Sequence, residues 1–241
     1  GKIQRNMPNP FFAFKQFTIH HDRCAMKVGT DGVLLGAWVN LSNSHRILDI
    51  GTGTGLIALM MAQRCNDSNI TAIDIDTEAV SQANENIQAS PWKDRVIAIQ
   101  QDIRSFHPNK SFDTIVSNPP YFINSLKSSD TQRNTARHTD SLSAEDLIQK
   151  VGELLTDEGR FSIILPTEQI ENLIRISERV GLYPSRCTHV ITRPGLTPKR
   201  TLMEFCKRET SCSIDELVVE LDRHVYSKEY IALTRDFYLK M

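Results

Sequence analysis

At 241 residues the chain can bury one sizeable core, with room for a small extra lobe or arm. Its make-up, 40% hydrophobic and 24% charged, is that of an ordinary globular protein and excludes a disordered or fibrous chain. The formal net charge is -1, so any surface for a polyanion has to come from local clusters of Lys and Arg.

The five cysteines, Cys24, Cys65, Cys187, Cys206 and Cys212, are odd in number and scattered, with no CxxC pair. Neither a disulfide framework nor a zinc site is expected, and a reducing compartment fits. His21, His138 and His189 do not lie at ligand spacing from a Cys or from one another, so no metal is expected. The longest clean apolar run, Leu56 to Ala62, is too short to cross a bilayer. No basic segment leading into an apolar one opens the chain; a secretory signal is not expected, and the cytoplasm is the expected location.

From Arg46 onward, short β-branched runs alternate with helical segments. Arg46–Ile50 reads as a buried strand, Gly51–Gly55 as a glycine turn and Leu56–Cys65 as a helix. Asn69–Ile75 is a second strand, followed by a helix over Thr77–Ala89 with Thr77 as its N-cap; Arg95–Gln100 is a third strand. Phe112–Ser117 is a fourth, stopped at Asn118-Pro119-Pro120, where two prolines forbid further ladder pairing. Ser143–Leu155 has helical periodicity opened by a capping pattern, Ser143 with Asp146. Arg160–Leu165 is a fifth strand, Thr167–Val180 a helix closed by Gly181, and Thr188–Thr192 and Thr201–Lys207 are two more strands. Arg193-Pro194-Gly195 joins these last two without a helix, which predicts an antiparallel hairpin at one edge. Strands alternating with helices imply right-handed crossovers and a mostly parallel sheet covered on both faces. The expectation is therefore an α/β fold with a seven-stranded sheet, an antiparallel edge hairpin and helices on both sides. The stretches Asn6–Trp38 and Phe122–Leu142 show no assignable element, and loops of that length inside a compact domain are usually functional or disordered.

Chemistry concentrates at the strand ends. Glycines at Gly51, Gly53 and Gly55 let the backbone approach a ligand closely. A dinucleotide fingerprint needs GxGxxG, and here the third glycine falls one residue early, so a pyrophosphate cradle is the poorer match. Asp74 closes the second strand roughly twenty residues on, the usual place for a carboxylate that accepts ribose hydroxyls. Each acid alone reads as a solvated strand end; three successive strand ends bearing one, on the edge where open sheets bind ligands, do not. The pattern Asp49 to Gly55 resembles the first motif of class I methyltransferases. That resemblance implies S-adenosylmethionine as cofactor, with Asp49 holding its ammonium and Asp102 accepting from its adenine amine. Ile75 and Ile103 are then the apolar walls of the adenine site.

Asn118-Pro119-Pro120-Tyr121 ends the fourth strand at the same sheet edge. An exocyclic amine is a poor nucleophile because its lone pair is delocalised into the ring. Acceptors aimed at its two N–H bonds favour the change toward a tetrahedral nitrogen. The Asn118 side-chain carbonyl and the Pro119 backbone carbonyl can supply them, stiffened by the prolines. Tyr121 offers a flat face for a ring to stack on. The order of motifs resembles the methyltransferases that act on adenine N6, cytosine N4, guanine N2 or glutamine amides, and an opening Asn fits cytosine least.

Three outlying segments narrow the family: His21–Trp38 with its Lys27-Val28-Gly29-Thr30-Asp31-Gly32 core, Asn134–Asp140, and Tyr226–Leu239. Together with the catalytic motif they resemble the bacterial tRNA1(Val) (adenine(37)-N6)-methyltransferases, essentially from Phe12 onward. The resemblance implies a single methyltransferase domain over residues 1–241, with an arm of about residues 1–45 packing over the cofactor. Thr30 and Asp31 would lie near the methionine end. It implies a tRNA anticodon stem-loop as substrate, with no obligate protein partner and no membrane. Arg23, Lys27, Arg133, Arg137, His138, Lys199 and Arg200 are the candidate phosphate contacts, although each alone reads as a solvated surface charge. Phe11, Phe12, Phe14 and Phe17 read as an arm packed on the core. Alternatives are N6-methylation of an adenine in another RNA and N5-methylation of a protein glutamine; enzymes of the latter kind carry a helical domain that the stretch before Arg46 is too short to form. A binding module without catalysis is disfavoured by the intact Asn118–Tyr121, and a nicotinamide oxidoreductase by the glycine spacing.

Overall fold

The computed structural model describes residues 9–120, 122 and 141–241. Tyr121, Arg133, Arg137 and His138 lie outside the described residues.

Four parallel strands form where the apolar runs stand: β3 (Arg46–Ile50), β4 (Asn69–Asp74), β5 (Val96–Gln100) and β6 (Phe112–Ser117). They follow a two-stranded antiparallel pair, β1 (Phe11–Ala13) and β2 (Thr18–His20), within the stretch left unassigned above. Side chains alternate across the sheet as a pleated strand requires: Ile47, Ile70 and Val116 enter one core, Leu48, Ile73 and Ile115 the other. The first core is covered by α1 (Thr30–Trp38), α2 (Leu56–Arg64) and α3 (Thr77–Gln88), the second by α4 (Ala144–Leu154) and α5 (Ile170–Arg179).

β7 (Leu155–Pro166) pairs parallel to β6, and β9 (Arg200–Cys206) runs antiparallel to both β7 and β8 (Tyr183–Ile191), which is the expected hairpin. The sheet has eight strands where seven were expected. β10 (Ser213–Val218) pairs parallel with β8 and takes the edge, so the hairpin lies one strand inside it. Residues Ser213–Glu216 are exposed, so this edge strand carries little apolar signal. A short pair, β11 (Glu220–Asp222) with β12 (Val225–Tyr226), and α6 (Lys228–Thr234) end the chain; Tyr230 of α6 is buried in the first core.

Two local readings need correction. The cap of α3 is Asp76, whose side chain accepts from the Glu78 N–H at 3.0 Å; Thr77 is the first helical residue. The Thr167–Val180 helix opens as a 3₁₀ turn, Thr167–Gln169, before α5 begins. The Ser143 cap is as expected, its Oγ accepting from the Asp146 N–H at 3.1 Å.

In the amino-terminal stretch, Phe14 and Phe17 are buried and stacked at 4.9 Å, while Phe11 and Phe12 are exposed. α1 is buried at seven of its nine positions. Gly36 lets it sit against α2, since a Cβ there would lie 2.6 Å from Met60 Sδ. At the same carboxyl end the Trp38 Nε1–H donates to Thr188 Oγ1 at 2.9 Å, and the Arg186 guanidinium lies 4.0 Å over the indole ring. Those contacts lock α1 to β8 and so fix where its first turn points. No helix among the described residues is long and apolar enough to cross a membrane.

Candidate active site

β3 and β6 are neighbours in the sheet, yet β4 and β5 come between them in sequence and lie on the far side of β3. The strand order reverses at that point, and the loops leaving β3 and β6 part to form a crevice beyond their carboxyl ends. A cleft of ≈ 820 Å³ opens there. It is lined from β3 by Ile50–Thr54, from β4 by Asp74–Asp76, from the β5 exit by Gln101–Arg104 and from β6 by Asn118–Pro120. Cys24–Lys27, Gly29 and Thr30–Gly32 line it from the amino-terminal side.

The glycine turn forms the floor. Gly51 and Gly53 have φ of +73° and +56°, and a Cβ added to either would meet nothing within 4 Å. Such a turn leaves backbone open to a ligand and tolerates no ordinary side chain without strain. Gly55, at φ +86°, caps α2 and does not line the cleft. Beneath the turn Asp49 is fully buried. One of its oxygens accepts from Thr52 Oγ1 at 2.7 Å; the other, Oδ1, has no partner among the described residues. Burial pushes its carboxyl up to about 7, with the Asp74 charge adding to the shift and the Thr52 bond opposing it. Asp49 lies behind the cleft wall and does not itself line it; a buried carboxylate with one unpartnered oxygen, directly beneath an open glycine turn, gives that turn a negative field that suits an incoming ammonium. The residues present therefore fit the amino-acid end of S-adenosylmethionine.

Asp74 is tied at both oxygens, Oδ2 to the Gly53 N–H at 2.8 Å and Oδ1 to the Asp76 N–H at 3.0 Å. Each oxygen keeps a further lone pair, so the carboxylate, which lines the cleft, both shapes the turn and can accept from hydroxyls. Ile75 and Ile103 line the same end, as does Asp102, whose carboxyl is held below the usual range by hydrogen bonds from Arg104.

On the opposite side, Thr30 and Asp31 reach the cleft from the first turn of α1, and Asp31 is paired with Arg200 Nε at 2.9 Å. Asn118 stands at the end of β6, and Ser117 Oγ donates to the Ile50 carbonyl at 3.1 Å, tying the ends of β6 and β3 together. The Asn118 amide nitrogen faces Met26 Sδ at 3.8 Å. Pro119 and Pro120 continue the wall.

Of the candidate phosphate-binding cations, Lys27 turns inward, donating to the carbonyls of His21 at 2.6 Å and Cys24 at 2.9 Å. Arg23 is paired with Glu85 of α3, and Arg200 with Asp31. Lys199 is exposed on the β8–β9 connection. The cleft also includes residues that the sequence reading did not single out, among them Asp76, Gln101 and Arg104. Asp76 and Arg104 stand two residues after Asp74 and Asp102, so the strand-end acids were signals for them too.

The arrangement of sheet and helices recurs in a predicted O-methyltransferase from Agrobacterium tumefaciens, with a TM-score of 0.68 over 86% of this chain and 96% of that one. A ribosomal protein L11 methylase from Lactobacillus delbrueckii subsp. bulgaricus gives 0.53 over 74% and 77%. Identities of 19% and 15% make these likenesses of fold. In sequence, residues 27–175 match the family described as Methyltransferase small domain. With a site that fits S-adenosylmethionine, this makes the chain a class I methyltransferase dependent on that cofactor. Within the class it is 57% identical to a tRNA1(Val) (adenine(37)-N6)-methyltransferase of Phocaeicola vulgatus, over 98% of this chain and 100% of that relative. A relative of the same description from Flavobacterium psychrophilum is 46% identical, over 95% and 100%. The chain belongs to this family.

Proposed function

We propose that this enzyme transfers the methyl group of S-adenosylmethionine to N6 of adenosine 37, just 3′ of the anticodon, in tRNA1(Val). The observation that carries the reading is end-to-end identity of 57% with a relative of that description. The chemistry at Asn118-Pro119-Pro120 supports it independently. S-adenosylmethionine, when bound, supplies a methyl group made electrophilic by its sulfonium.

The chain's own residues do the rest. Asp49 holds the ammonium and Asp74 the ribose hydroxyls, so the reactive methyl is presented at one place. Thr30 and Asp31 close the methionine end, while Asp102, Ile75 and Ile103 receive the adenine of the cofactor. Asn118 Oδ1 and the Pro119 carbonyl accept from the two N–H bonds of the target amine, favouring its tetrahedral form as positive charge grows on nitrogen. Tyr121 stacks on the target ring. No strong base is needed, because the amine becomes acidic only on methylation. The amino-terminal arm serves as the cover of a single domain.

An anticodon-loop purine is already single-stranded, so splaying it into the cleft costs less than opening a duplex pair. β8 ends at the same end of the sheet as β3 and β6, so the largely exposed Arg193–Lys199 connection lies on the cleft's side, and Arg200 just beyond it pairs with Asp31 of the cleft wall. We assign Lys199, with Arg133, Arg137 and His138, to the phosphates of the loop. Arg23, Lys27 and Arg200 serve that surface by holding its framework. A tRNA substrate puts the enzyme to work in the cytoplasm. The test uses individual unmodified tRNA transcripts and maps the product: methylation is expected at adenosine 37 of valine tRNA and absent once that base is replaced. Lys199→Glu is expected to lower methylation while leaving S-adenosylhomocysteine affinity unchanged. Incorporation that survives replacement of adenosine 37 contradicts the assignment.

A further inference from the structure

Arg104 lines the cleft two residues after Asp102. Oδ1 of Asp102 accepts from the Arg104 backbone N–H at 2.9 Å and from its Nε–H at 3.0 Å. Oδ2 accepts from Nη2 at 2.7 Å and from the same Nε–H at 3.1 Å. Three N–H groups of one residue converge on a single carboxylate. An ionised carboxylate offers about four lone-pair sites and no donor, so the grip leaves about one acceptor site. The platform beneath it is fixed to the neighbouring strand, because the Gln101 N–H donates to the Asp74 carbonyl at 2.9 Å and Gln101 Nε2 to the Asp102 carbonyl at 2.9 Å.

We propose that Arg104 is a positioning residue that makes Asp102 a one-site acceptor, selecting the 6-amino purine of the cofactor against a 6-oxo purine. This rests on Asp102 being the partner of the cofactor's adenine. The bidentate fork fixes the plane of the carboxylate, which a single-point cation does not do. The ionised carboxylate it holds accepts and cannot donate. A 6-amino group brings an N–H to the remaining lone pair; a 6-oxo group brings a second acceptor and is repelled. A carboxylate without the fork can turn its plane and carry its open lone pair away from the 6-amino group, which weakens the distinction.

The test is calorimetric titration of the full chain with S-adenosylhomocysteine and with its 6-oxo counterpart, S-inosylhomocysteine. The wild-type enzyme is expected to prefer the adenosyl ligand by roughly 10–100-fold, the worth of one charge-assisted hydrogen bond. Arg104→Ala is expected to shrink that preference to within about threefold, mainly by weakening the adenosyl ligand. Arg104→Lys, which keeps the charge without the fork, is expected to fall between them. Melting of each ligand-free variant reports whether the fold survives, and Arg104→Gln serves as a second variant if alanine fails there. Asp102→Asn, which can donate, tests the underlying reading by itself and is expected to abolish or reverse the preference. If Asp102→Asn behaves so while the Arg104 variants keep the wild-type ratio, or bind the adenosyl ligand more tightly, the role given to Arg104 is wrong. If neither position alters the ratio, Asp102 is not the adenine partner and the proposal falls with it.

Discussion

Replacing Asp49 by Asn should stabilise the ligand-free enzyme while crippling its cofactor binding. Asp49 is fully buried, and its carboxyl is pushed from the ordinary 3.8 up to about 7. A carboxyl raised on folding binds its proton more tightly in the folded chain than in the unfolded one. It therefore favours the fold at low pH and costs stability as pH climbs from about 4 through 7. Three pKa units at about 1.4 kcal/mol each amount to roughly 4 kcal/mol when the group is fully ionised. Asn does not titrate, so the stability of Asp49→Asn minus that of wild type should grow by roughly 2–3 kcal/mol between pH 5 and pH 8. Urea melts of both proteins at those two pH values give this difference, in which other titrating groups cancel. The ammonium of the cofactor is what makes an ionised Asp49 worthwhile. Its affinity for Asp49→Asn should fall by roughly 10–100-fold, the worth of a charge-assisted bond. In the wild type, S-adenosylhomocysteine affinity should drop about tenfold for each pH unit below 7. A stability difference that does not change with pH, or an Asn variant that binds cofactor like wild type, would refute the reasoning.

Asn118→Ala should lower the turnover rate by about 10²–10³ while cofactor affinity stays within a few-fold, as single-turnover kinetics and calorimetry together would show. Asp74→Ala should act on affinity instead, since two hydroxyl contacts worth roughly 1.5–3 kcal/mol each are lost; because Asp74 also accepts from the Gly53 and Asp76 N–H groups, some thermal stability should go with them. Gly53→Ala places a residue at φ +56°, at roughly 1–2 kcal/mol of strain, and projects its methyl into open space beside the cleft. Thermal melts should show that modest loss, and titration should show a larger loss of cofactor affinity.

Much of this architecture was legible because its strands are largely buried and read as short runs rich in Ile, Leu, Val and Phe, bounded by turn residues. Arg46–Ile50 and Phe112–Ser117 are of that kind, and the abrupt stop at Pro119 marked where the second one ends. What escaped has physical reasons. β10 is an exposed polar edge strand held by pairing with β8, so its sequence has neither an apolar run nor alternation. α1 is apolar almost all round and contains Gly32 and Gly36, which hides its helical period; its place is set by the Trp38 contacts with β8 and by the close approach of Gly36 to Met60. At the site, the glycine turn and strand-end acids announced themselves. The sequence could not tell which cations were spoken for: Lys27 and Arg23 serve the loop around His21 and the face of α3, contacts that exist only once the arm has folded back.

The central claim, that the amine methylated is N6 of an adenine in tRNA, is tested most directly by competition in one vessel. Purified enzyme receives labelled S-adenosylmethionine, unmodified valine tRNA and a glutamine-bearing peptide, and the label is traced by nucleoside and peptide mass spectrometry. Label is expected in N6-methyladenosine, with Asn118→Ala abolishing it. Label on the glutamine amide in preference to tRNA, or on a nucleoside other than adenosine, would contradict it.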